Sequence, residues 1–119
     1  MFINCSNHRI ENWSVEQIKE AEKYGEIVEY PFPYVTPQLD EEDIDKIASK
    51  AAEEIIEMTP DIVLCQGEFT VTYKIIEKLK ALNIKVVAAC SDRVTTEVKQ
   101  EDGSNKKISE FNFVRFREY

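Results

Sequence analysis

The sequence predicts a single α/β domain, a Rossmann-like three-layer sandwich with a parallel sheet of four strands and a C-terminal β-hairpin. Three observations carry this reading. The runs "PDIVLC" and "NIKVVAAC" are continuous and rich in β-branched residues, as in parallel strands covered on both faces. Strand-like and helix-like segments alternate strictly up to residue 92. Beyond it the period drops to two around an Asp-Gly turn signal at Asp102–Gly103.

Met1–Asn4 is short and apolar and opens the sheet. The polar "CSNHRIENW" follows as a loop, and Ser14 with Gln17 has capping-box spacing for a helix over about 14–24. Val15, Ile18, Ala21 and Tyr24 form its expected buried stripe, and Gly25 stops it. Glu26–Tyr30 is a second strand, ended by Pro31, Phe32 and Pro33. Asp40 opens a second helix whose apolar face is Ile44, Ile47, Ala48, Ala51, Ile55 and Met58. A third strand ends near Gly67. The third helix starts near Phe69, with Val71, Ile75, Ile76, Leu79 and Leu82 inward, and the fourth strand ends at Cys90. Residues 93–119 form the hairpin, in which side-chain parity slips between Phe113 and Phe116, the signature of a bulge or of burial on both faces.

Right-handed crossovers through this order give the strand order 2-1-3-4. Ligands of such sheets bind beyond the carboxyl ends of the strands, where strands one and three diverge. Two loops meet there, Cys5–Arg9 and Gln66–Thr70. In the first, Asn4, Ser6 and Asn7 offer neutral hydrogen-bonding groups, His8 is the single histidine, and Arg9 adds a positive charge. His8 is either an acid or base near neutral pH or a loop histidine bonded to backbone. Gly67 is either a place of close ligand approach before a helix N-terminus suited to phosphate, or only a tight corner, with Glu68 a first-turn acid. After strand four, Ser91, Asp92 and Arg93 reach the same edge, Arg93 being a phosphate clamp or a partner of Asp92. Phe32 and Tyr34 either stack on a base or pack over the sheet edge.

Several classes are excluded or disfavoured. A net charge of −8 opposes sequence-independent binding to duplex nucleic acid. No G-x-G-x-x-G or Walker pattern supports a dinucleotide cofactor or NTP hydrolysis. Apolar runs are too short to span a membrane, no signal-peptide pattern opens the chain, and three cysteines do not make an even disulfide framework, so the expectation is a cytoplasmic protein with reduced thiols. Cys5, Cys65, Cys90 and His8 make a conceivable zinc set, but without a C-x-x-C knuckle the expectation is no metal and no cofactor.

The segments "FINCSNH" followed by Trp13, "GEIVEYPFP", "PDIVLCQGEFT", "VVAACSDRV" and "FNFVRFREY" together resemble small CRISPR-associated proteins of type III systems. These are single-domain relatives of the CRISPR-associated Rossmann fold (CARF), some of them ring nucleases. The resemblance implies one CARF-like domain over 1–119 that binds a cyclic oligoadenylate, most simply the tetra-adenylate ring, across a homodimer. It further implies metal-independent cleavage, in which a ribose 2′-hydroxyl attacks the adjacent phosphate and leaves a 2′,3′-cyclic phosphate. On this reading His8, Arg93 and Ser6 are catalytic. Asn4, Asn7, Arg9, Gln66, Gly67, Glu68, Phe69, Thr70, Ser91 and Asp92 bind substrate, with Glu68 reading ribose or adenine rather than phosphate. The alternatives are a messenger-binding module without catalysis and a dimerising interaction protein whose hairpin pairs across the dimer.

Overall fold

The computed structural model describes all 119 residues. Strands β1 (Phe2–Ser6), β2 (Ile27–Glu29), β3 (Ile62–Gln66), β4 (Lys85–Lys99) and β5 (Asn105–Glu118) form one sheet in the order β2-β1-β3-β4-β5. Helices α1 (Val15–Glu22), α2 (Glu41–Glu57) and α3 (Phe69–Ala81) connect them. The first four strands are parallel in the expected order, and β5 joins antiparallel, so the sheet is mixed.

One boundary differs from expectation. The fourth strand does not end at Cys90 but runs on to Lys99 as the first arm of the hairpin, so Ser91, Asp92 and Arg93 are strand residues rather than a loop. They look like loop residues because pairing with β5, not burial, holds them extended, and both faces of the arm are wet.

Consecutive strand residues are apolar because both faces are covered. Ile3, Cys5, Val63, Cys65 and Val86 pack under α2 and α3, whereas Phe2, Ile62, Leu64 and Val87 pack against Trp13 and Ala21 on the α1 side. Each such side chain contributes about 1.5–3 kcal/mol through burial. The result is three layers, helix, sheet and helix. Val15 lies outside this packing, exposed at the start of α1, and Trp13 fills the layer instead.

The helix termini follow the sequence. Ser14 accepts from the Gln17 amide at 3.2 Å, though only this arm of the capping box forms, while Asp40 and Asp43 complete both arms at α2. Gly25 leaves α1 at φ +99°, a conformation that costs glycine little.

The parity slip in β5 is a bulge. Cys90 faces Arg115 and Ser91 faces Phe113, which leaves Val114 without an opposite residue. This extra residue returns Phe116 to the face that carries Phe113. Their rings lie 4.9 Å apart, and Phe116 continues to Phe2 at 5.0 Å and Trp13 at 6.4 Å. The aromatic core of the α1 side thereby extends onto the hairpin.

Candidate functional site at the carboxyl edge of the sheet

At the end of β1, Asn4 and Ser6 are buried in the strand rather than free in a loop. Asn4 Nδ2 donates to the His8 carbonyl at 2.9 Å and to the Glu29 carboxylate, and Ser6 Oγ donates to Asn4 Oδ1 at 2.6 Å. Trp13 Nε1 donates to the same His8 carbonyl at 3.0 Å. Buried polar groups find partners in this way, and here the partners fix the turn that follows β1. The turn presents Asn7, His8 and Arg9 to solvent. Arg9 pairs with Glu11 at 3.3 Å, and the His8 ring makes no hydrogen bond within the chain.

Pairing between β3 and β4 stops at Leu64 and Val87. Just beyond, Gln66 Oε1 accepts from the Ala89 amide at 2.8 Å, so the side chain stands in for the missing strand. Packing favours glycine at position 67, because the Phe32 ring would have to shift to admit a side chain. A Cβ there would lie 2.5–2.7 Å from ring atoms of Phe32, too close for any real contact. Phe32 thus packs against the corner, and Tyr34 stays exposed.

Glu68 is the N-cap of α3. Its carboxylate accepts from the Thr70 and Val71 amides, each at 2.9 Å, and from the Thr70 hydroxyl. Partial burial pushes its pKa up, but these bonds outweigh that and hold it below the ordinary carboxylate value. Consequently, the α3 N-terminus is already occupied by its own anion, and Thr70 has both donors engaged. The expected phosphate seat is closed in this arrangement.

On the hairpin, strand alternation separates the three polar residues. Ser91 lies on the α1 face opposite Phe113, Asp92 points the other way, and Arg93 lies on the Ser91 face one repeat further out. Arg93 sits 6.0 Å from the Phe111 ring and reaches Ser109 Oγ at 3.4 Å, and it does not pair with Asp92. Cys5 and Cys65 are register partners in the core, where a hydrogen bond between them and then burial raise the Cys65 thiol pKa. No cluster of three or more His, Cys, Asp or Glu side chains is placed to hold a metal, so the set of Cys5, Cys65, Cys90 and His8 does not assemble.

Three depressions run along this edge and share residues. The first, about 500 Å³, lies between the start of α1 and the hairpin, walled by Trp13, Phe111 and Phe113 with Ser6, His8 and Gln66 at its inner end. The second, about 350 Å³, is polar and lined by Asn7, His8, Gln66, Gly67, Phe69 and Thr72, with Tyr119 closing it. The third, about 620 Å³, lies between α3 and the segment before α2, with Phe69, Tyr73, Val35, Leu39 and Ile44 on its walls. His8 and Gln66 join the first to the second, and Phe69 joins the second to the third. Lying side by side, they line the edge as a trough of three adjacent depressions, aromatic at both ends and polar in the middle.

Two details mark the trough as unpartnered. The Thr72 hydroxyl, in a residue only 9% exposed, has no hydrogen-bond partner although it lines the second depression. Phe69, 89% exposed, and Tyr73, 64% exposed, stand one turn apart on α3, off its buried face of Val71, Ile75 and Leu79. Of the sequence-derived site residues, Ser6, Asn7, His8, Gln66, Gly67, Glu68, Phe69, Thr70 and Ser91 line this trough, while Arg9, Asp92 and Arg93 do not and Asn4 lies beneath it. Sequence reasoning missed Trp13, Thr72, Tyr73, Phe111, Phe113 and Tyr119. The available signal was the two aromatics of α3 standing outside its apolar stripe.

The chain is therefore an α/β protein with a three-layer mixed sheet and a candidate ligand trough at the topological switch point. It belongs to the Uncharacterized protein MJ1673 family, whose model it matches over residues 1–117. No curated protein and no solved structure matches it.

Proposed function

We propose that the trough binds a cyclic oligoadenylate messenger, most simply of tetra-adenylate size, as the resemblance to type III CRISPR-associated proteins implies. The observation that carries the reading is the adjacency of the three depressions, with aromatic walls at both ends and neutral donors between them. A mononucleotide would fill one depression. A ring of several nucleotides suits all three, with adenines stacked near Phe69 and Tyr73 at one end and Trp13, Phe111 and Phe113 at the other. Asn7, Gln66 and Thr72 would meet ribose or phosphate in the middle.

Binding without turnover is the first reading, because the Ser6 and Thr70 hydroxyls and the α3 amides are already engaged. One feature favours ring cleavage as the second: His8 is the titratable group of the polar middle whose side chain is free. In that case the ribose 2′-hydroxyl attacks the adjacent phosphorus, the 5′-oxygen leaves with a proton, and a 2′,3′-cyclic phosphate remains. His8 would supply or take the proton. Neither reading requires a metal or cofactor, and both belong to the cytoplasm, where free Cys5, Cys65 and Cys90 stay reduced.

Incubation of the protein with cyclic tetra-adenylate in EDTA, followed by chromatography and mass spectrometry, separates the readings. Retention of an intact ring by the protein supports binding alone. Linear di-adenylate with a cyclic phosphate end, abolished by His8→Ala, supports the nuclease. Neither retention nor cleavage overturns both.

A further inference from the structure

We infer that β5 is the interface of a symmetric dimer, in which the outer edges of two copies pair antiparallel about Ile108 and join the two sheets into one. The inference is independent of any nucleotide ligand. Residues 91–112 form a two-stranded arm exposed on both faces, with Val94, Val98, Ile108 and Phe111 among its exposed apolar side chains. An isolated ribbon of this kind is marginally stable in water. The opposite edge of the sheet is the three-residue β2, followed by Pro31 and Pro33, which cannot extend a ladder. β5 by contrast offers 14 residues with no neighbour beyond it.

The phase of the hairpin decides which backbone groups are available. Gln100 N–H donates to the Ser104 carbonyl at 2.8 Å next to the turn, and pairing is regular from Lys99–Asn105 to Ser91–Phe113. Hydrogen-bonded pairs alternate along such a ladder, so Lys106, Ile108 and Glu110 bond inward to β4. Asn105, Lys107, Ser109 and Phe111 then direct their N–H and C=O groups outward, an unpaired row along the sheet edge.

A second copy fits this row in one register best. Centred on Ile108, Lys107 meets Ser109 and Asn105 meets Phe111 of the other copy, and these are the residues with outward backbone groups. Ile108 then meets its own equivalent, and Lys106 meets Glu110 twice across the two-fold axis. Centring on Lys107 or Glu110 sets like charges opposite themselves, and centring on Ser109 leaves Lys106 and Glu110 without opposite charges. On the β4 side the edge is taken by β3 as far as Val87 and by the Gln66 side chain at Ala89.

The test is sedimentation equilibrium on the full chain and on charge-reversed variants of the exposed arm. The wild-type chain should be a dimer at micromolar concentration. Lys106→Glu and Glu110→Lys should each weaken association about tenfold or more, since two attractive pairs become two repulsive ones. Association should return in the double variant Lys106→Glu/Glu110→Lys. It should also return in an equimolar mixture of the two single variants, where both contacts across the two-fold axis of the mixed dimer again join opposite charges. A monomeric wild-type chain, or single variants that dimerise like wild type, would overturn the inference.

Discussion

Gly67 and Glu68, adjacent in sequence, settle what kind of corner leads into α3. Gly67 is glycine because the Phe32 ring occupies the space of a Cβ. Gly67→Ala should therefore destabilise the fold by about 1–3 kcal/mol, as overpacking does, and Phe32→Leu should recover part of the loss. Urea denaturation followed by the fluorescence of Trp13, the single tryptophan, measures both. Glu68 carries a depressed pKa from its bonds to the α3 amides and the Thr70 hydroxyl. Its capping contribution is present above the unfolded carboxylate pKa and is lost as pH falls through the lower folded value. Glu68→Gln should cost about 1 kcal/mol near neutral pH, and the difference from wild type should shrink in acid. A difference that stays constant with pH would show that the charge of the cap is immaterial.

At the scale of elements, β5 depends on one residue that pairs with nothing. Val114 restores the parity that puts Phe116 beside Phe2, Trp13 and Phe113. Deleting Val114 should turn Phe116 to the opposite face and cost about 3 kcal/mol, close to the effect of Phe116→Ala, and near-wild-type stability of the deletion would refute this role. The bulge was legible in the sequence because the aromatic spacing changed from two to three between Phe113 and Phe116. The strand order, the Ser14 and Asp40 caps and Gly25 were legible for the same kind of reason: local periodicity and cap chemistry act within a few residues. The length of β4 was not, since Ser91–Arg93 take their conformation from β5, which follows later in the chain. Nor was the structural use of Asn4 and Ser6, whose partners at His8 and Glu29 are set by the folded turn and by β2. The polar loop residues of a ligand site and those of a buried network have the same composition, and only geometry separates them.

For the whole molecule, the trough crosses the carboxyl edge of an acidic chain, and its lining carries one lysine, Lys74, at the far end beside Tyr73. Lys74 is itself held by Asp45 at 3.1 Å, a pair that raises its pKa. Affinity for a cyclic oligoadenylate must then come from stacking and neutral hydrogen bonds rather than from neutralised phosphates. Adding salt should screen repulsion and leave affinity unchanged or improved, opposite to the steep loss expected of a cationic site. The most direct measurement is a calorimetric titration of cyclic tetra-adenylate into the wild-type protein and into Phe69→Ala, in EDTA. The trough predicts saturable binding with a Kd of about a micromolar or tighter, weakened about tenfold or more when the Phe69 platform is removed. No heat of binding to the wild-type protein, or binding that Phe69→Ala leaves untouched, would contradict it.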